Sequence, residues 1–184
     1  QLGSLSGDAV AGLTATQLVG LGTSGISALN NTQLGALTPT QIGALTATQV
    51  GALSTTALGA LTTYQIAALT SLQIASITTG NLGTLTTTQL SALSGTQIGA
   101  IGMVSSLGTT LIPALSATQV SALTVAQIRS LTGLATSALT TTQIAVLNAT
   151  QIAALSPAGV AGLTTSHIGA LSTAQIAAFA TTAP

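Results

Sequence analysis

The chain has 184 residues, with one Lys or Arg, one Asp or Glu, one His and no Cys; it is 47% hydrophobic, 1% charged and 1% aromatic, with a formal net charge of 0. Ordinary soluble domains are roughly 25% charged, so the side chains that perform acid-base, covalent and metal chemistry are almost missing, and we expect no enzyme, no cofactor and no catalytic, cofactor-binding or metal-ligating residue. The same inventory lacks the basic stripe that nucleic acid requires. Polar residues interrupt every apolar stretch before the roughly 18 residues of a membrane span, so neither partner is expected.

The chain opens Gln-Leu-Gly-Ser, with neither Met nor the regions of a signal peptide, and is expected to be a processed form or an excerpt of a longer one. From Leu5 onward a repeat takes over. Gln stands at 17, 33, 41, 49, 65, 73, 89 and 97, then at 119, 127, 143, 151 and 175, always eight residues or a multiple of eight apart within each group. Gly25, Ala57, Asn81, Ala135, Gly159 and His167 fill the skipped places. Written from its Leu, the octad reads Leu-Thr-x-Thr-Gln-Ile-x-Ala, as in Leu45-Thr46-Ala47-Thr48-Gln49-Val50-Gly51-Ala52.

Variation among the octads sorts their eight slots. Slot one is Leu almost throughout, slot six is Ile, Val or Leu with Thr136 as a lapse, and slot eight is small; these three are expected to pack. Slots three and four admit Pro39, Tyr64, Leu72, Gly80 and Val125 and are expected to face solvent.

Each octad carries the signals of a helix start. Slot two runs Ser6, Thr14, Gly22, Asn30, Thr38, Thr46 and onward, residues favoured at helix N-caps. Slot five then falls at N3, where a Gln closes a capping box. Slots one and six take the two positions of the hydrophobic staple, and Pro39 and Pro157 fall at N1, where Pro is tolerated. A single long helix advancing 100° per residue would let the Leu stripe drift round its axis, so the pattern predicts one short helix per octad, restarted by the next cap. Such helices are too short to stand alone and must stack. The expected fold is a repeat solenoid of short capped helices wound into a compact superhelix; the alternative is a Thr-rich β-solenoid, favoured by Thr, Ile and Val and by frequent Gly.

Between Ile101 and Leu115 the register slips, two residues short of two octads. The expected organisation is an octad array over 1–100, a phase break or kink over 101–114, and a second array over 115–184.

The few chemically distinctive residues have bland readings. His167 stands in the Gln slot, as a substitute cap; Asp8 lies in the first turn of its helix, where the dipole favours a carboxylate. Arg129 indicates that slot seven is open to solvent there, and Tyr64 is a tolerated surface substitution. Asn30-Asn31-Thr32 and Asn148-Ala149-Thr150 match the glycosylation sequon, but both Asn residues occupy cap slots.

The run Ala36-Leu37-Thr38-Pro39-Thr40-Gln41-Ile42-Gly43-Ala44-Leu45-Thr46-Ala47-Thr48-Gln49, echoed from Ala138 to Leu155, resembles the octad arrays of large bacterial extracellular repeat proteins of the adhesin or haemagglutinin-like kind. The resemblance covers nearly the whole chain and implies an extracellular or cell-surface structural role, with no active residue carried over. An uncharged surface and open solenoid ends favour self-association, so the expectation is a structural subunit or repeat region of an extracellular fibre used in matrix, biofilm or surface attachment. Its expected partners are copies of itself, end to end, and other cell-surface or matrix components. The alternatives are a monomeric adhesin stalk and an ice-binding solenoid with Thr-x-Thr rows such as Thr46-Ala47-Thr48.

Overall fold

The computed structural model describes residues 2–180, and their regular elements are short helices with no strand among them. The β-solenoid alternative is thereby overturned. The reason lies in slot two: its Thr residues, β-formers by composition, hold extended backbone only long enough to cap a helix. At Thr46 φ is −70° and ψ is 156°, while the side chain accepts from Gln49 N–H.

The chain divides into two compact units, Gln1–Ile101 and Gly102–Pro184. Among its described residues the first holds twelve α-helices of four to six residues, from Gly7–Ala11 to Gly95–Gly99. Each packs on the third helix along, as Gly7–Ala11 does on Asn31–Ala36 and Ala47–Gly51 on Ser71–Ser76. The second unit repeats the rule, with Gly133–Ser137 against Pro157–Ala161 and Thr141–Ala145 against Thr165–Ala170. Each unit is thus a solenoid of stacked helical turns.

One octad shows how a turn is made. The slot-six amide closes the helix, Val50 N–H to Thr46 O at 3.1 Å, and the next slot-one amide closes a tighter turn, Leu53 N–H to Val50 O at 3.1 Å. Slots one and two often lie extended between helices, as at Leu45 (φ −60°, ψ 150°) and Thr46, and this link re-aims the chain. Leu from slot one and Ile, Leu or Val from slot six fill the interior: Leu34, Ile42, Ile74 and Ile98 are fully buried. Burying such a side chain stabilises by about 1.5–3 kcal/mol, which supplies what a five-residue helix lacks alone.

Three departures from the octad rule are informative. Gly22, in a slot-two position, makes no cap: Leu21 precedes the helix Gly22–Ser27 without a side-chain bond, and Gly22 itself sits at φ +65°, a conformation open to Gly. Slot eight is half-buried more often than packed, Ala44 and Ala154 among such residues; the close backbone approaches set slot-seven glycines against the carbonyls of slot-eight residues, and slot-eight Gly162 comes closer still to Gly133 O. A Cβ on slot-seven Gly51 would lie 2.7 Å from Ser76 O, and one on Gly43 2.9 Å from Ala68 O. Lastly, residues 101–114 are not an open loop. Val104–Leu107 and Ile112–Ala114 are 3-10 helices flanking the helix Gly108–Leu111, and Val104, Leu107, Leu111 and Ile112 are all buried. Gly108 at φ +65° makes the bend between them.

Candidate functional site

The feature that recurs most regularly in both units is the slot-five glutamine, and it does more than cap. Gln65 is 1% exposed. Its Oε1 accepts from Thr62 N–H at 2.8 Å, closing the capping box, while its Nε2 donates to Leu34 O at 2.9 Å and Leu37 O at 2.7 Å, 31 and 28 residues earlier. One carboxamide therefore caps its own helix and fastens that helix to the turn before it. Gln73 repeats this to Ile42 O and Leu45 O, and in the second unit Gln143 does so to Ile112 O and Leu115 O. The receiving carbonyls belong to slots six and one, at the end of one helix and the start of the link; the slot-six oxygen also takes the next slot-one amide, as Leu37 N–H to Leu34 O at 3.2 Å, so the Gln fills its second lone pair. Ile112 holds the place of a slot-six residue in this ladder, so the phase slip is complete by then.

The sequence-level capping box was right in half its content. Thr62–Gln65 and its equivalents form both capping bonds, but burial of the Gln and its two donated bonds to an earlier turn were not anticipated. A capping box accepts Glu as well as Gln, but only an amide can accept from the cap and donate to two carbonyls at once; with no Glu anywhere in the chain, its absence from slot five carried no separate signal.

Substitutions at slot five report on the two roles separately. Asn81, one methylene shorter, keeps the bond to the earlier turn (Nδ2 to Leu53 O, 2.7 Å), and its helix has no capping box. His167 keeps both, with Nδ1 accepting from Thr164 N–H at 3.2 Å and Nε2 lying 2.8 Å from Leu139 O. At Gly159 there is no side chain; slot-six Thr136 nearby is fully buried with an Oγ1 that finds no partner.

The remaining singular residues sit on separate helices. Asp8 is exposed in the first turn of Gly7–Ala11, Tyr64 is exposed in Thr63–Ala67, and Arg129 is exposed at the end of Val125–Arg129. Among the described residues no group of three or more His, Cys, Asp or Glu is placed to hold a metal. No described helix is long and apolar enough to cross a membrane. A shallow depression between Ala149–Ala153 and Thr173–Ala180 is lined by Ala149, Thr150, Ala153, Ala174, Ala177 and Ala178, methyl groups and one hydroxyl with no convergent polar groups.

The ladder and the core both run out at identifiable faces. Slot-six residues, fully buried through the interior, become 40% exposed at Val160, 47% at Ile168 and 50% at Ile176. No slot-five side chain of the described residues donates to the carbonyls of Leu163 or Leu171 on the same face. In the first unit, Gln17 is exposed and its Nε2 donates to no described residue, while Leu5 is 39% exposed.

The ALTTAQ repeat family matches residues 16–47, 47–79 and 150–181, together more than half of the chain. The chain belongs to the ALTTAQ repeat family. Each match spans about four octads, close to the 28 to 31 residues over which a slot-five Gln reaches back, so an ALTTAQ unit corresponds to about one turn of the solenoid. No curated protein and no solved structure gives a match.

Proposed function

We propose that this ALTTAQ repeat chain is a structural segment of an extracellular bacterial fibre, used in matrix, biofilm or surface attachment, that joins copies of itself end to end and performs no catalysis. What supports it is the turn-to-turn contact repeated in both units, each helix packing on the third helix along and slot-five amides reaching back 28 to 31 residues, in a chain with almost no charge to oppose association. The join is thus one more turn-to-turn contact of the kind the fold already makes, and a contact between unlike surfaces propagates where it does not close. The resemblance to adhesin and haemagglutinin-like arrays favours the extracellular setting.

The test is sedimentation and negative-stain imaging of the purified chain beside Ile168→Asp and Ile176→Asp. Wild type is expected to form long fibres that persist at about 1 M salt, since one acid and one base leave screening almost nothing to act on. Both variants should keep a helical circular-dichroism spectrum and stay monomeric. A wild-type chain that is monomeric at high concentration overturns the proposal and favours the solitary adhesin stalk; so do fibres that dissolve in salt.

A further inference from the structure

The slot-five ladder contains one member that can take up a proton. His167 is 3% exposed, and both ring nitrogens are engaged. Nδ1 lies 3.2 Å from Thr164 N, and since a backbone N–H can only donate, Nδ1 must carry a lone pair. Nε2 lies 2.8 Å from Leu139 O, and since a carbonyl can only accept, Nε2 must carry the proton. The geometry therefore fixes a single species, the neutral ring protonated at Nε2.

We propose that His167 is a pH-sensitive fastener of its own turn, holding the helix Thr165–Ala170 closed when neutral and releasing it when protonated. An imidazolium has no acceptor at Nδ1, so its N–H would face the N–H of Thr164. That opposition removes one half of the capping box and places a positive charge in a buried site. Among the described residues nothing nearby offsets the charge. The helix paired with it, Thr141–Ala145, the Leu139-Thr140 link that receives Nε2 and the following octad contain no titratable or charged side chain, and no Asp, Glu, Lys or Arg occurs anywhere in residues 130–184. Arg129 ends a helix that pairs with Ala149–Ala153, and it is exposed. The sign follows from proton binding: the closed arrangement admits only the neutral ring, so uptake of a proton opposes closure and acid favours release.

Gln at the same slot does both jobs with no titratable proton, which makes His167→Gln the natural control. Ile168, an exposed slot-six residue, belongs to the helix that His167 caps, so acid would also disturb docking there; that consequence rests on the proposed assembly, whereas the cap itself is read on the monomer.

The experiment is amide hydrogen exchange at Ile168 and Leu171 in the monomeric chain, made monomeric where needed by Ile176→Asp, at about pH 7.5 and about pH 5 with intrinsic rates corrected. Protection should fall on the order of tenfold in acid for the His167 chain and stay constant for His167→Gln. Nitrogen chemical shifts of the ring at the higher pH should report the Nε2–H form. Equal acid loss in both chains, no loss in either, or a ring protonated at Nδ1 would overturn the proposal. Fibre failure at all pH values alongside the expected exchange pattern would count against the assembly alone.

Discussion

At Gln65 a single side chain makes three hydrogen bonds in a dry site, and each has a different partner to lose. Exchange for Glu keeps the oxygen that caps Thr62 but removes both donors to Leu34 O and Leu37 O, and places a carboxylate against two carbonyls. Leaving a buried charge unpaired costs about 3–5 kcal/mol, far more than a cap alone is worth. Gln65→Glu is therefore expected to lose about that much stability in urea unfolding at neutral pH. The loss should shrink in acid, where the protonated carboxyl regains one donor. A loss within about 1 kcal/mol would mean that slot five only caps, since capping boxes accept either residue. The capping half of this side chain is legible from spacing, because it is local in sequence. The other half is not, because a bond spanning 28 residues depends on how many octads make a turn, and no single octad encodes that number.

Among the elements, what packs closely is backbone on backbone, and the two kinds of slot-seven glycine separate the causes. Gly51, in Ala47–Gly51, would aim a Cβ to within 2.7 Å of Ser76 O, whereas Gly59, in Thr55–Ala60, has open space around it. Gly51→Ala should destabilise by about 1–3 kcal/mol, as enlargement of a filled position does. Gly59→Ala should stabilise by about 0.5–1 kcal/mol, the ordinary gain of Ala over Gly within a helix. Chemical denaturation of the two variants decides this; equal effects would remove the close approach from the account. The helices themselves were readable because four start signals agree in one phase at Thr38-Pro39-Thr40-Gln41-Ile42. Small residues at slots seven and eight were expected to let turns approach closely, and they do, Gly51 against Ser76 O and Gly162 against Gly133 O; which of these positions meet is hidden until the neighbouring turn is known. Gly22 escaped for a related reason: composition does not separate a Gly that caps from one that takes φ +65°.

In the whole molecule, stability comes from repetition of one contact, since short helices pack on the helix three places away and many are also fastened by a slot-five amide from the turn that follows. The apolar pattern and the caps made a helical solenoid readable before any coordinates, and the short tally of reactive groups pointed away from chemistry. The size of the turn emerges only when turns are stacked. The most direct test of the central claim is side-chain amide exchange, read by nuclear magnetic resonance on the folded chain. The carboxamide protons of Gln49, Gln65, Gln73, Gln89 and Gln143, buried and donating to carbonyls about 30 residues earlier, are predicted to be strongly protected, while those of exposed Gln17 exchange freely. Exchange of all of them at the rate of Gln17, in a chain that is still helical, would contradict the ladder and with it the account of how this repeat holds together.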